Sequence, residues 1–96
     1  MTNKERAYLS KLASDMDPIF QIGKNSITPE FVAAISEALE KRELIKISVL
    51  KNCMDDPKEL ANTVAERTRA SVVRVIGRKI VLFKRSQKPV IDFSKA

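Results

Sequence analysis

Ile22-Gly23-Lys24-Asn25-Ser26-Ile27-Thr28-Pro29 joins a short apolar run, Ile19 to Ile22, to a strong helix start. Gly23 frees the backbone where the strand ends. Thr28 suits an N-cap and Pro29 the first helical position. Between them sit a cation, an amide and a hydroxyl. Exposed N–H groups at a turn leading into a helix N-terminus can seat phosphate. A strand, a turn and a helix in this order open an α/β arrangement.

The rest of the pattern extends it. Upstream, Thr2 and Glu5 have capping-box spacing, and Tyr8, Leu9, Leu12, Ala13 and Met16 form a helical stripe. The spacing predicts a helix over 3–16, stopped by Asp17-Pro18. Downstream, Phe31, Val32, Ile35, Ala38 and Leu39 mark a helix over 29–41. Ile45, Ile47 and Val49 alternate with Lys46 and Ser48 in a strand over 44–50. Asp56-Pro57-Lys58-Glu59 supplies cap, first-turn proline and Glu at N3 for a third helix. Val72 to Ile76 and Lys79 to Lys84 flank Gly77-Arg78, which suits a two-residue II′ hairpin. That register pairs Val75 with Ile80 and Val73 with Leu82, making one aliphatic face. It sets Arg74 opposite Val81, Ile76 opposite Lys79 and Val72 opposite Phe83 on a mixed, basic face.

The order is α-β-α-β-α-β-β, an α/β domain of the two-layer α+β type with a mixed four-stranded sheet. Helical crossovers favour parallel pairing among the first three strands. Residues 1–85 form the domain. Residues 86–96 lack a pattern and are expected to trail, with Val90, Ile91 and Phe93 able to dock them.

Composition narrows the chemistry. The chain has 96 residues and no histidine, which removes the commonest general base and metal ligand. Cys53 stands alone, without a disulfide partner, and is expected to be buried. Asp15/Asp17 and Asp55/Asp56 read as helix-end and turn residues. No enzyme activity, metal or cofactor is expected. No apolar run reaches the roughly 20 residues that span a bilayer. A cytoplasmic monomer is expected, without membrane or small-molecule partner.

The net charge is +6, but residues 1–66 hold nine Lys/Arg against eleven acids, and residues 67–96 hold nine against Asp92 alone. Charge of one sign over a folded segment reads as an anion-binding surface. Arg67 and Arg69 also suit a helix C-terminus.

The β-loop-α segment, Leu39-Glu40-Lys41-Arg42-Glu43-Leu44-Ile45-Lys46, and Val73-Arg74-Val75-Ile76-Gly77-Arg78-Lys79-Ile80-Val81-Leu82-Phe83-Lys84-Arg85 together resemble the CRM domain. The likeness is to its bacterial single-domain YhbY-type members. The resemblance implies a fold like the C-terminal domain of translation initiation factor three, RNA binding, and association with precursors of the large ribosomal subunit. It implies a G-x-x-G loop at Gly23, Lys24, Asn25 and Ser26, with serine in the last glycine's place, and Thr28 following. Arg74, Arg78, Lys79, Lys84 and Arg85 would extend the electropositive track. Few aromatics are available for base stacking, so backbone and shape recognition is expected. The alternative is a protein-interaction module whose basic face meets an acidic partner.

Overall fold

In the computed structural model, which describes residues 1–95, the elements follow the expected order. They are α1 (Asn3–Ser14), β1 (Phe20–Ile22), α2 (Pro29–Arg42), β2 (Leu44–Val49), α3 (Pro57–Thr68), β3 (Ser71–Ile76) and β4 (Lys79–Phe83), then a 3-10 turn over Phe93–Lys95.

Local chemistry starts each helix. Thr2 Oγ1 accepts from the Glu5 N–H at 3.1 Å, and Glu5 Oε1 accepts from the Thr2 N–H at 2.8 Å. The Thr2 N–H and hydroxyl hold the Glu5 carboxyl below its usual range. Thr28 Oγ1 accepts from the Phe31 N–H at 3.1 Å, with Pro29 opening α2. Asp56 occupies the N-cap position of α3 but makes no side-chain capping bond. Its surroundings are exposed, so water can serve those amides.

The sheet order is β1-β2-β4-β3. β1 and β2 pair in parallel, Phe20 beside Ile47. The parallel pairing expected of β2 with β3 does not form, because β4 lies between them, antiparallel to both. Burial explains the choice. Ile80, Val81, Leu82 and Phe83 are all buried, so β4 is apolar on both faces and takes a central place. β3 alternates with exposed residues and serves as an edge. Gly77 turns the hairpin at φ 55°, and Arg78 keeps a negative φ, as a II′ turn requires.

The hairpin register departs from expectation at one residue. Val75–Ile80, Arg74–Val81 and Ile76–Lys79 pair as predicted, but Val72 meets Leu82 and Ser71 meets Phe83. Val73 is bulged between them. The bulge leaves Val73 on the same face as Arg74 and turns Val72 to the face of Val75, the reverse of the predicted placement. Val72 packs against the core that α2 and α3 build with Ile45, Ile47, Ile80 and Leu82. Val73 packs under α1, with Leu9, Ala13, Leu44, Val81 and Phe83. Arg6 Nη1 donates to the Val72 and Val73 carbonyls at 2.7 and 2.9 Å, satisfying acceptors at the disrupted ladder. Helices therefore lie on both faces of the sheet, and α1 covers only part of its own.

The segment after Ser86, expected to trail, is fastened to the domain. Glu43 is fully buried at the C-cap of α2, with φ 63°. Its Oε1 accepts from the Val90 and Ile91 N–H groups at 2.6 and 2.7 Å, and its Oε2 from the Ser86 N–H at 2.9 Å. Phe93 packs edge-on to Phe83 with centroids 5.5 Å apart.

Candidate nucleic-acid interface

β1 and β2 run in parallel, and β3 points the same way across β4. Their carboxyl ends therefore gather three connections: the 23–28 loop, the 50–56 turn and the Gly77-Arg78 hairpin tip. Open α/β sheets place ligands at such an edge. The N-termini of α2 and α3 lie at this edge too.

Within the loop, the Ser26 N–H donates to the Gly23 carbonyl at 3.0 Å, closing a turn around Lys24-Asn25. Gly23 does not use its conformational freedom, since its φ lies outside the left-handed region. A Cβ there would meet Asn52 Oδ1 at 3.5 Å and Leu50 Cδ1 at 3.6 Å, ordinary contacts. The demanding position is Ser26, with φ 54°. A non-glycine residue costs roughly 1 kcal/mol in this region. Ser26 Oγ donates to Asp55 Oδ2 at 2.6 Å, pinning the loop to the next turn. The Thr28 hydroxyl is occupied as a cap. Lys24 and Asn25 are exposed, and their side chains make no bond among the described residues. Lys51, on the neighbouring turn, is likewise exposed and unpaired.

Arg78 braces this edge. Its Nε donates to the Val49 carbonyl at 3.0 Å, and its Nη2 to those of Leu50 and Cys53 at 2.7 and 3.1 Å. Cys53 is buried, as expected. A charge-assisted bond contributes about 1.5–3 kcal/mol, and the three together lose less than their sum because the freed acceptors reach water. Urea denaturation of Arg78→Ala is expected to show a loss of about 2 kcal/mol, and Arg78→Lys, which lacks the guanidinium fork, recovers little of it. An unchanged midpoint would mean the brace is idle.

The basic face continues from the edge onto the part of the sheet that α1 leaves open. Lys79, Ser48 and Gln21 form one cross-strand row, with Lys79 Nζ donating to Ser48 Oγ at 2.7 Å. Beside it lies a cavity of ≈ 270 Å³ lined by Ile76, Val81 and Ala13 and by the cations Lys46, Arg74 and Lys79. Lys46 Nζ donates to the Ala13 and Met16 carbonyls at the end of α1, both at 3.2 Å. Arg74 is exposed and makes no bond among the described residues.

Lys84 and Arg85 do not join this surface. β4 carries Lys84 about 17 Å from Lys79, at ~3.4 Å per residue. Arg85 Nη1 lies 3.3 Å from Glu43 Oε1 and donates to the Ile91 carbonyl at 2.8 Å. Its guanidinium sits 5.2 Å from the Phe93 centroid. Arg85 is thus a clamp on the terminal segment. Of the residues expected to form one track, the structure gathers Gly23, Lys24, Asn25, Ser26, Thr28, Arg78, Lys79 and Arg74 toward one end and places Lys84 and Arg85 at the other.

Glu43 and Arg6 escaped the sequence reading. Glu43 did carry a signal: an acid at a helix C-terminus opposes the dipole, so its place there needs a partner. Among the described residues there is no cluster of three or more His, Cys, Asp or Glu that could hold a metal, and no helix long and apolar enough to cross a membrane.

Comparison with known proteins agrees with this architecture. Residues 1–84 match the CRS1 / YhbY (CRM) domain. The chain is 41% identical over 88 residues to the Bacillus subtilis protein named "Probable RNA-binding protein YqeI", covering 92% of each. It is 28% identical over 95 residues to a Haemophilus influenzae protein named "RNA-binding protein", covering 99% of this chain and 96% of that one. Among solved structures it resembles, with TM-score 0.78 and 49% identity over 92% of each chain, the hypothetical protein SAV1595 of Staphylococcus aureus, described as a candidate RNA-binding protein. The chain belongs to the CRS1/YhbY (CRM) domain family.

Proposed function

We propose that this chain binds RNA, chiefly through the phosphate backbone, and acts in the cytoplasm as an assembly factor on precursors of the large ribosomal subunit. The observation that carries RNA binding is the set of exposed, unpaired cations at the carboxyl edge of the sheet and on the open face next to it. Lys24, Lys51 and Arg74 have no partner within the described residues; Lys24 and Lys51 stand beside the amides of the Gly23–Ser26 turn, and Arg74 lies on the open sheet face that continues from it. An anion supplies what they lack. The names of the Bacillus and Haemophilus relatives support the same partner. The ribosomal assignment rests on the resemblance to the single-domain YhbY-type proteins. Binding alone accounts for this role, without turnover or cofactor.

The base-stacking contribution is small. Phe20 and Phe31 pack on each other at 5.9 Å beside the α2/α3 core. Lys24→Glu and Arg74→Glu are each expected to weaken binding of a large-subunit rRNA fragment about tenfold, ~1.4 kcal/mol, in fluorescence anisotropy. Melting should be nearly unchanged, because both side chains are exposed and unpaired. Undiminished RNA binding by the Lys24→Glu, Arg74→Glu double variant would leave this face to an acidic protein partner and put the RNA elsewhere on the molecule. Crosslinking in cells, followed by sequencing of bound RNA, tests the ribosomal part. Reads spread evenly over transcripts would remove that part and leave RNA binding standing.

A further inference from the structure

At the end of the sheet opposite the Gly23 loop, the start of β3 and the end of β4 frame a cleft of ≈ 420 Å³. Arg69, Lys84 and Arg85 line it, with Ser71, Phe93 and a single acid, Glu5. The Glu5 carboxylate is occupied by the Thr2 N–H. The side chains of Arg69 and Lys84 make no bond among the described residues. Arg85 is fixed in place by Glu43 and the Ile91 carbonyl.

Arg69 is the telling residue. It caps α3 in the left-handed region, φ 60° and ψ 31°. The Ala70 N–H then reaches the Ala65 carbonyl at 2.8 Å. Glycine closes a helix this way without strain, whereas arginine does not. The strained position closes the helix through its backbone, but the guanidinium makes no bond in return among the described residues. A cation does favour a helix C-terminus, but Arg67 already stands in the last turn of α3. Strain held at an exposed, unpaired guanidinium is what a ligand-binding position shows. A guanidinium and an ammonium lining one cleft beside a fixed second arginine suit phosphate, which a guanidinium can meet with two parallel bonds.

We infer that Arg69 and Lys84, in the cleft that Arg85 walls, form a second RNA phosphate site, separate from the Gly23 loop, so that one RNA is held at both ends of the sheet. This rests on the RNA-binding reading. The two ends are about 17 Å apart along β4.

The test uses the full ¹⁵N-labelled chain and a 20-nucleotide single-stranded RNA at about 50 mM salt, the low-salt range in which phosphate contacts are strongest. Two separate groups of amides are expected to shift, one around Lys24–Ser26 and one around Arg69–Ser71 and Lys84. Arg69→Gly is expected to raise the melting temperature by about 2–4 °C, by relieving the backbone. It should nonetheless weaken the RNA about fivefold and erase the second group of shifts alone. A purely structural arginine cannot give that opposition of signs. Shifts confined to the loop, or unchanged affinity in Arg69→Gly, overturn the second site and leave RNA binding intact. No shifts anywhere would overturn both. Inorganic phosphate at equal phosphate concentration should shift the cleft amides far less than the RNA does. An equal response would make this a free-anion site and overturn the RNA assignment of the cleft.

Discussion

Glu43→Gln is expected to lose about 3 kcal/mol of stability in urea denaturation, the range found when one partner of a buried charged network is removed. Burial pushes the Glu43 carboxyl up, but the N–H groups of Ile91, Ser86 and Val90, with the Arg85 guanidinium, outweigh it and leave the carboxyl below its ordinary range. Glutamine keeps the shape but turns one acceptor into a donor. Either the Ser86 N–H or the Val90 and Ile91 pair then faces an N–H, and a buried donor goes unpaired. Because the folded state holds the lower pKa, the carboxylate's contribution is complete above the ordinary carboxylate range. It is lost as pH falls through the depressed folded value. The parent should therefore lose stability in acid more steeply than Glu43→Gln. The variant should also release its terminal segment, so trypsin should cut after Arg85, which the Glu43 carboxylate holds, faster than in the parent. Equal stability and equal cutting would show that the carboxylate does not fasten the segment.

That fastening also shows where sequence reading ends. Helices and strands were legible because their signals are local: Thr2 with Glu5, Thr28 with Pro29, and alternation along Ile45–Val49. Even the II′ hairpin was readable from Gly77-Arg78. Strand order was not, because it depends on which strand is apolar on both faces relative to the others. The unbroken buried run Ile80–Phe83 was that clue. The Val73 bulge exchanges the faces of Val72 and Val73, and no period-2 pattern in the sequence announces such an exchange. The Glu43 clamp links residues more than forty apart with no periodic trace. For the candidate site, the Gly23–Thr28 loop and its basic surroundings were legible. The partition of the cations was not, because charge counted along a chain says nothing about which end of a strand each residue reaches. Arg78 and Arg85 carry the same charge as Arg74, yet both are engaged within the fold.

RNA affinity is expected to fall roughly a thousandfold between 50 and 200 mM salt, from a slope of about −0.9 per neutralised phosphate and six contacts. Six is what the cations of the two sites that are free of carbonyl or carboxylate partners allow. Lys24, Lys51 and Arg74 lie toward the loop end, where Lys79 is held only by a neutral hydroxyl; Arg69 and Lys84 line the far cleft. Arg78 and Arg85 are left out because their guanidiniums are already bonded to carbonyls or carboxylate. The slope can thus be dissected. Lys24→Ser with Arg74→Ser should reduce it by about two contacts, and Arg69→Gly with Lys84→Ser by about two more, while Arg78→Ala should leave it near the parent's value once folded protein is selected. Anisotropy titrations at four salt concentrations measure this directly. A flat response in the parent would mean that phosphate is not the partner of these cations. A full slope retained after Lys24 and Arg74 are neutralised would mean that the RNA sits elsewhere on the molecule.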